Sequence, residues 1–63
     1  MNGTVKFFNE MKGFGFVTGE DEKEYFAHHT QLPDNQVLNT DDEVEFDEAE
    51  TEKGLQAHNI KIV

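Results

Sequence analysis

A chain of 63 residues has room for one small domain and one core. Fourteen Asp and Glu stand against five Lys, giving a net charge of −9. That balance lacks the basic footprint usual in nucleic-acid binders and disfavours an anionic membrane surface as partner. Without cysteine there is neither a disulfide nor a thiolate metal site.

The predicted elements are mostly strands. Residues 4–9 are β-branched and aromatic and are predicted as the first strand, and Met11-Lys12-Gly13 supplies a turn. Residues 14–18 form the second strand and 24–28 the third, with a polar turn through Gly19-Glu20-Asp21-Glu22 between them. Residues 29–42, which hold the single proline, Pro33, are predicted as a long connection. Residues 43–48 alternate with period two, with Val44 and Phe46 inward and Glu43, Glu45 and Asp47 in solvent. After a turn ending at Lys53-Gly54, residues 55–62 make the fifth strand. Five short strands without a convincing helix imply a small all-β barrel, whose closure removes the edges that short sheets expose. The N-terminal residues carry neither a basic nor an apolar leader region, and no apolar run approaches the length of a membrane span. A cytoplasmic, monomeric domain with no membrane partner is expected.

Five of the six Phe lie within residues 7–26. Phe14 and Phe16, two apart on a strand, share a face, as do Phe26 and His28. A hairpin of the second and third strands would join these four rings, with Val17, Tyr25 and Ala27 turned into the barrel. An F-x-F pair is ordinarily core. Here Val17, Ala27, Val44, Phe46 and Ile60 already supply a core set, and both faces of one hairpin cannot be interior in so short a chain. The neighbouring Gly13 and Gly15 are expected to open flat access to the rings. Base–aromatic stacking supplies about 1–3 kcal/mol per base and tolerates any base.

The run Lys12-Gly13-Phe14-Gly15-Phe16-Val17 matches the first six positions of the RNP1 pattern, but Gly19 stands at its last aromatic position. Taken with Gly3-Thr4-Val5-Lys6-Phe7-Phe8-Asn9 and Tyr25-Phe26-Ala27-His28, the chain resembles the cold-shock domain family. The match is in register over residues 3–30. It continues more weakly through Val44, Phe46 and Gly54-Leu55-Gln56-Ala57-His58-Asn59-Ile60. The resemblance implies a five-stranded antiparallel OB-fold barrel that binds single-stranded RNA or DNA across its first three strands, without bond chemistry and without a cofactor. Carried over by position, Lys6, Phe7, Phe8, Lys12, Phe14, Phe16, Phe26 and His28 match family binding positions.

The chain also departs from the family pattern. Phe7 stands where the family usually has Trp, and His29 where many members have another aromatic. The connection over 29–42 lacks an aromatic that many members carry, so one fewer stacking site is expected. Lys53 occupies a position that is often basic. Strict alternation puts Phe7 on the core side with Val5 and leaves Phe8 outside with Lys6, whereas the family pattern puts Phe7 on the binding surface.

The smaller signals point to bland roles. His28 and His29, adjacent on a strand, should point to opposite faces and make a poor chelate, so no metal is expected. The acids over 41–48 lack the spacing of a calcium loop and read as a solvated face. No arrangement of catalytic residues is visible.

The charge is unevenly spread: residues 1–19 sum to +1 and residues 20–63 to −10. Two explanations of the acidity remain open. One is a halophilic, high-salt cytoplasm, where screening over about 3 Å removes distant repulsion. The other is an acidic protein-interaction or nucleic-acid-mimic module that kept the fold but not the ligand.

Overall fold

The computed structural model describes residues 1–32 and 37–63, so Pro33 of the connection lies outside the described residues. Five strands, β1 (Asn2–Asn9), β2 (Phe14–Gly19), β3 (Glu24–His28), β4 (Glu43–Thr51) and β5 (Gly54–Ile62), close into a barrel in the order β1-β2-β3-β5-β4. A single 3₁₀ turn, His29–Gln31, follows β3. Neighbouring strands are antiparallel except β3 and β5, which run parallel through Phe26↔Gln56 and Ala27↔Ala57.

Alternation places the core. Val5 pairs with Val17, and Val17 with Tyr25, so one inward row crosses three strands. Val44, Phe46, Ala57 and Ile60 meet that row from β4 and β5, and all are at most 1 % exposed. Each such fully buried Val, Ile or Phe contributes about 1.5–3 kcal/mol relative to exposure. Tyr25 packs its ring 5.0 Å from that of Phe46. Its hydroxyl donates to Asp21 Oδ2 at 2.6 Å and stands 3.0 Å from Glu48 Oε2.

β4 extends three residues past the predicted end, through Ala49, Glu50 and Thr51, a stretch whose Glu and Ala favour helix. Pairing with Gln56, Leu55 and Gly54 on β5 overrides that propensity. The register also shifts opposite Phe46, where Asn59 takes φ +52. Asn tolerates this left-handed region. The Asn59 side chain donates to Asp47 Oδ2 at 3.0 Å.

β1 carries a bulge that decides its outer face. The register with β2 shifts between Val5 and Phe7, so Lys6 is the extra residue. Lys6 and Phe7 therefore both face out, and Phe7 is 42 % exposed. Strict alternation is thus corrected. Phe7 is on the outside, while Phe8 falls opposite Gly15 and packs against the core.

Candidate nucleic-acid interface

The outer face of β1–β3 gathers the rings. Cross-strand register puts Phe16 between Phe7 and Phe26, and Phe14 opposite His28. Ring centroids follow: Phe7–Phe16 5.6 Å, Phe16–Phe26 5.8 Å, Phe14–Phe26 5.6 Å and Phe26–His28 6.1 Å. The rings are tilted, edge-on or offset to one another, as their quadrupoles prefer. Phe14, Phe16, Phe26 and His28 are half-buried, each supported from beneath by the sheet. Such a surface can accept several flat, π-faced groups in a row.

His29 joins the ring set by a route that alternation did not predict. The chain leaves β3 at His28 and enters the 3₁₀ turn, so the two adjacent rings do not point to opposite faces. Their centroids lie 4.5 Å apart at 36°. Among the described residues, no group of three His, Cys, Asp or Glu is placed to hold a metal.

The two glycines beside the Phe residues are covered rather than open, which corrects the expectation that they give access to the rings. Gly13 is buried with φ +77, and a Cβ there would lie 2.5 Å from His29 Cδ2. Gly15 lets β1 approach: a Cβ there would lie 2.2 Å from the Phe7 carbonyl oxygen. Access to the rings comes instead from their position on the outer face.

The β1–β2 turn is held by Asn9. Its Oδ1 accepts from the backbone N–H of Met11 at 3.0 Å and of Lys12 at 3.1 Å, and its carbonyl accepts from Gly13 N–H at 2.8 Å. Lys12 is thereby presented, exposed, at the end of the ring surface. Lys6 forms an ion pair with Glu24, each side chain about half exposed. Lys53 lies across the barrel, where it lines one open groove with Phe16, Glu24, Phe26, His28, Leu55 and Gln56.

Among the sequence-predicted residues, the rings of Phe7, Phe14, Phe16, Phe26, His28 and His29 are thus brought into one connected set. Lys53 borders the groove of that set, Lys12 stands at its end, and Phe8 lies on the inner side. Sequence reasoning missed Glu24, Leu55 and Gln56. The first could be found only by knowing that Lys6 and Glu24 meet across β2, and the others by the parallel β3–β5 pairing, which no hairpin rule supplies.

Comparison with known proteins agrees with this geometry. The sequence matches the profile of the 'Cold-shock' DNA-binding domain over residues 1–63. It is 43 % identical over 61 residues to cold shock protein 1 of Lactiplantibacillus plantarum, covering 94 % of this chain and 92 % of that protein. It is 43 % identical over 60 residues to the major cold shock protein of Streptococcus pyogenes, covering 92 % and 90 %. A major cold shock protein of Pseudomonas aeruginosa is 39 % identical over 64 residues, covering 98 % and 93 %.

Proposed function

Because the chain belongs to the cold-shock domain family, whose members bind nucleic acid and are not enzymes, we propose that it binds single-stranded RNA or DNA by stacking bases on Phe7, Phe14, Phe16, Phe26 and His28. Little sequence preference is expected, since every base has a π-face. Stacked bases cannot pair with one another, so the activity is that of an RNA chaperone. A single cytoplasmic domain acting as a monomer suffices for it. The observation that carries the proposal is the connected ring surface on the outer face of β1–β3.

Charge sets the conditions of binding. With Lys6 matched by Glu24, Lys12 and Lys53 are the cations beside the rings available to phosphate. The salt slope for single strands is then roughly −0.7 × 2, or about −1.4, so a tenfold rise in salt weakens binding about 25-fold, near 1.9 kcal/mol. Two or three stacked bases at ~1–3 kcal/mol each offset that loss. A binder led by stacking therefore tolerates salt, and the net charge of −9 suits a high-salt cytoplasm, where repulsion from distant acids is screened.

The test is fluorescence anisotropy of labelled oligo-dT and oligo-U at molar KCl, with the wild type and a Phe14→Ala, Phe26→Ala double variant. Loss of two stacks at about 1 kcal/mol or more each weakens binding at least about 30-fold. Equal affinities for the two proteins would refute stacking. Absence of binding at any salt, with salt-sensitive capture of a basic polypeptide instead, would establish the acidic interaction module in its place.

A further inference from the structure

Among the described residues, five large apolar side chains are exposed: Phe7, Met11, Val37, Ile62 and Val63. Ile62 and Val63 lie at and just past the end of β5, and Val37 lies in the connection that leads to β4. Phe7 belongs to the ring surface. Met11 is the most open of the five, at 96 %, and stands in the β1–β2 turn, where that surface ends.

The backbone fixes its place from both sides. Met11 N–H donates to Asn9 Oδ1 at 3.0 Å, and Asn9 pairs with Phe14. On the other side the Gly13 carbonyl accepts from His29 N–H at 2.8 Å, and the His29 ring lies against Gly13. The turn is thus seated between two residues of the ring set, with Lys12 exposed beside Met11. A flexible, polarizable thioether adapts to irregular apolar surfaces and attracts aromatic edges. Methionine is also among the side chains that press on base steps as apolar wedges.

The chain has neither cysteine nor tryptophan, and it has two methionines. Met1 is half-buried and packs against the core, its sulfur 2.8 Å from where a Cβ on Gly19 would stand. Oxidation follows exposure, so a dilute peroxide has one open thioether to act on.

We propose that Met11 is an oxidation-sensitive contact of the bound strand: its thioether covers the base that lies beyond the rings at the β1–β2 turn, and its sulfoxide does not. The proposal rests on single-strand binding by the rings and adds a contact and a regulation by peroxide to it. In the step, a sulfur lone pair attacks one oxygen of hydrogen peroxide. The O–O bond breaks as the S–O bond forms, and the departing hydroxide takes the proton left on the transferred oxygen, giving the sulfoxide and water. Sulfur gives up an electron pair and the peroxide accepts it. The sulfoxide is polar, so covering it with a base costs the water it held. It carries no charge, so the phosphate contacts of Lys12 and Lys53, and with them the salt slope, are unaltered.

The experiment measures binding of labelled oligo-dT by anisotropy before and after dilute hydrogen peroxide, with the oxidised residue located by peptide mass. It uses the wild type, Met11→Leu, which is apolar and inert to peroxide, and Met11→Gln, which is polar and inert. Oxidation at Met11 should weaken wild-type binding about 5-fold with an unchanged salt slope. Peroxide should leave the affinity of Met11→Leu where it started, and Met11→Gln should bind about as weakly as the oxidised wild type. Complete oxidation of Met11 with unchanged affinity overturns the proposal, as does an equal peroxide response in Met11→Leu, which would assign the effect to Met1. A footprint needs no variant. Bound oligo-dT should slow the oxidation of Met11 about 5-fold and leave that of Met1 unaffected, and an unchanged Met11 rate in the complex overturns the contact. Binding by the reduced protein that ignores peroxide removes this contact alone, whereas absence of binding by the reduced protein at every salt removes the underlying function as well.

Discussion

A single methyl group at Gly15 tests whether the packing of β1 on β2 is as tight as the structure requires. Gly15 is buried, opposite Phe8 on one side and Ala27 on the other. In Gly15→Ala the new Cβ would lie 2.2 Å from the Phe7 carbonyl oxygen, 2.6 Å from Phe8 Cα and 2.9 Å from Phe8 Cδ1. Favourable carbon contacts begin near 3.5 Å. Two of the three atoms are backbone, so no rotamer change relieves the clash, and β1 must move away from β2 by about an ångström. Overpacking of this kind costs about 1–3 kcal/mol, and a backbone obstacle places this case at the upper end. A domain of this size has only about 3–9 kcal/mol of stability in all. Urea unfolding followed by circular dichroism should show the midpoint falling by about 2–3 M for a slope near 1 kcal/mol per molar. The moving segment carries Phe7, so the 5.6 Å Phe7–Phe16 contact opens and oligonucleotide affinity falls with stability. A midpoint within about 0.3 M of the wild type would refute the close-approach role assigned to Gly15.

Glu24→Gln should release Lys6 for phosphate and remove a negative charge from the groove. The salt slope then steepens by about 0.7, so the variant gains about 5-fold over the wild type for each tenfold dilution of salt, measured by anisotropy between 1 M and 0.1 M. An unchanged slope would show that Lys6 is not a phosphate ligand even when freed. Tyr25 governs a pH response of stability. Its hydroxyl holds the Asp21 carboxyl below the usual carboxylate range by a hydrogen bond, and that bond, with burial, pushes the Tyr25 hydroxyl well above the usual phenol range. A carboxyl depressed in the folded state stabilises above its unfolded value, about 3.9, and loses that contribution as pH falls through the lower folded value. A raised phenol stabilises below about pH 10 and loses that contribution as pH climbs towards its folded value. Tyr25→Phe should therefore lower stability at neutral pH and flatten both limbs of the pH–stability curve. Limbs identical to those of the wild type would remove the Tyr25–Asp21 bond from the account.

Much of the barrel was legible in the sequence because its strands obey period two. Residues 24–28 were read with the boundaries observed, and the inward set Val17, Tyr25, Ala27, Val44, Phe46 and Ile60 is the buried one. The ring surface followed from the same rule, since F-x-F and F-x-H fix a face once a hairpin is assumed. What escaped are the places where the period breaks. The extra residue at Lys6 turns Phe7 outward, and the exit from β3 at His28 swings His29 beside its neighbour. Neither leaves a mark on composition or spacing, because a bulge and a 3₁₀ turn are settled by hydrogen bonds to partner segments. The Gly13 and Gly15 positions were noticed for a sound reason, small size beside large rings, but the space they leave is filled by His29 and by β1. Only the paired backbone shows which neighbour uses it. The Lys6–Glu24 pair and the β3–β5 seam join residues far apart in the chain, beyond the reach of local pattern.

The ring surface occupies one uninterrupted stretch of chain, residues 7–29, whose strands are joined by turns of four residues each. The β4–β5 hairpin closes the barrel and carries six of the fourteen acids without contributing a ring to that surface. The molecule is therefore modular in heredity as well as in shape. Surface charge can be retuned at the acids of the closing hairpin, one codon at a time, while the segment that carries the rings is left untouched, although Lys53, Leu55 and Gln56 of that hairpin border the groove. A lineage moving between dilute and concentrated surroundings could thus adjust surface charge by substitutions at these acids that leave every ring in place.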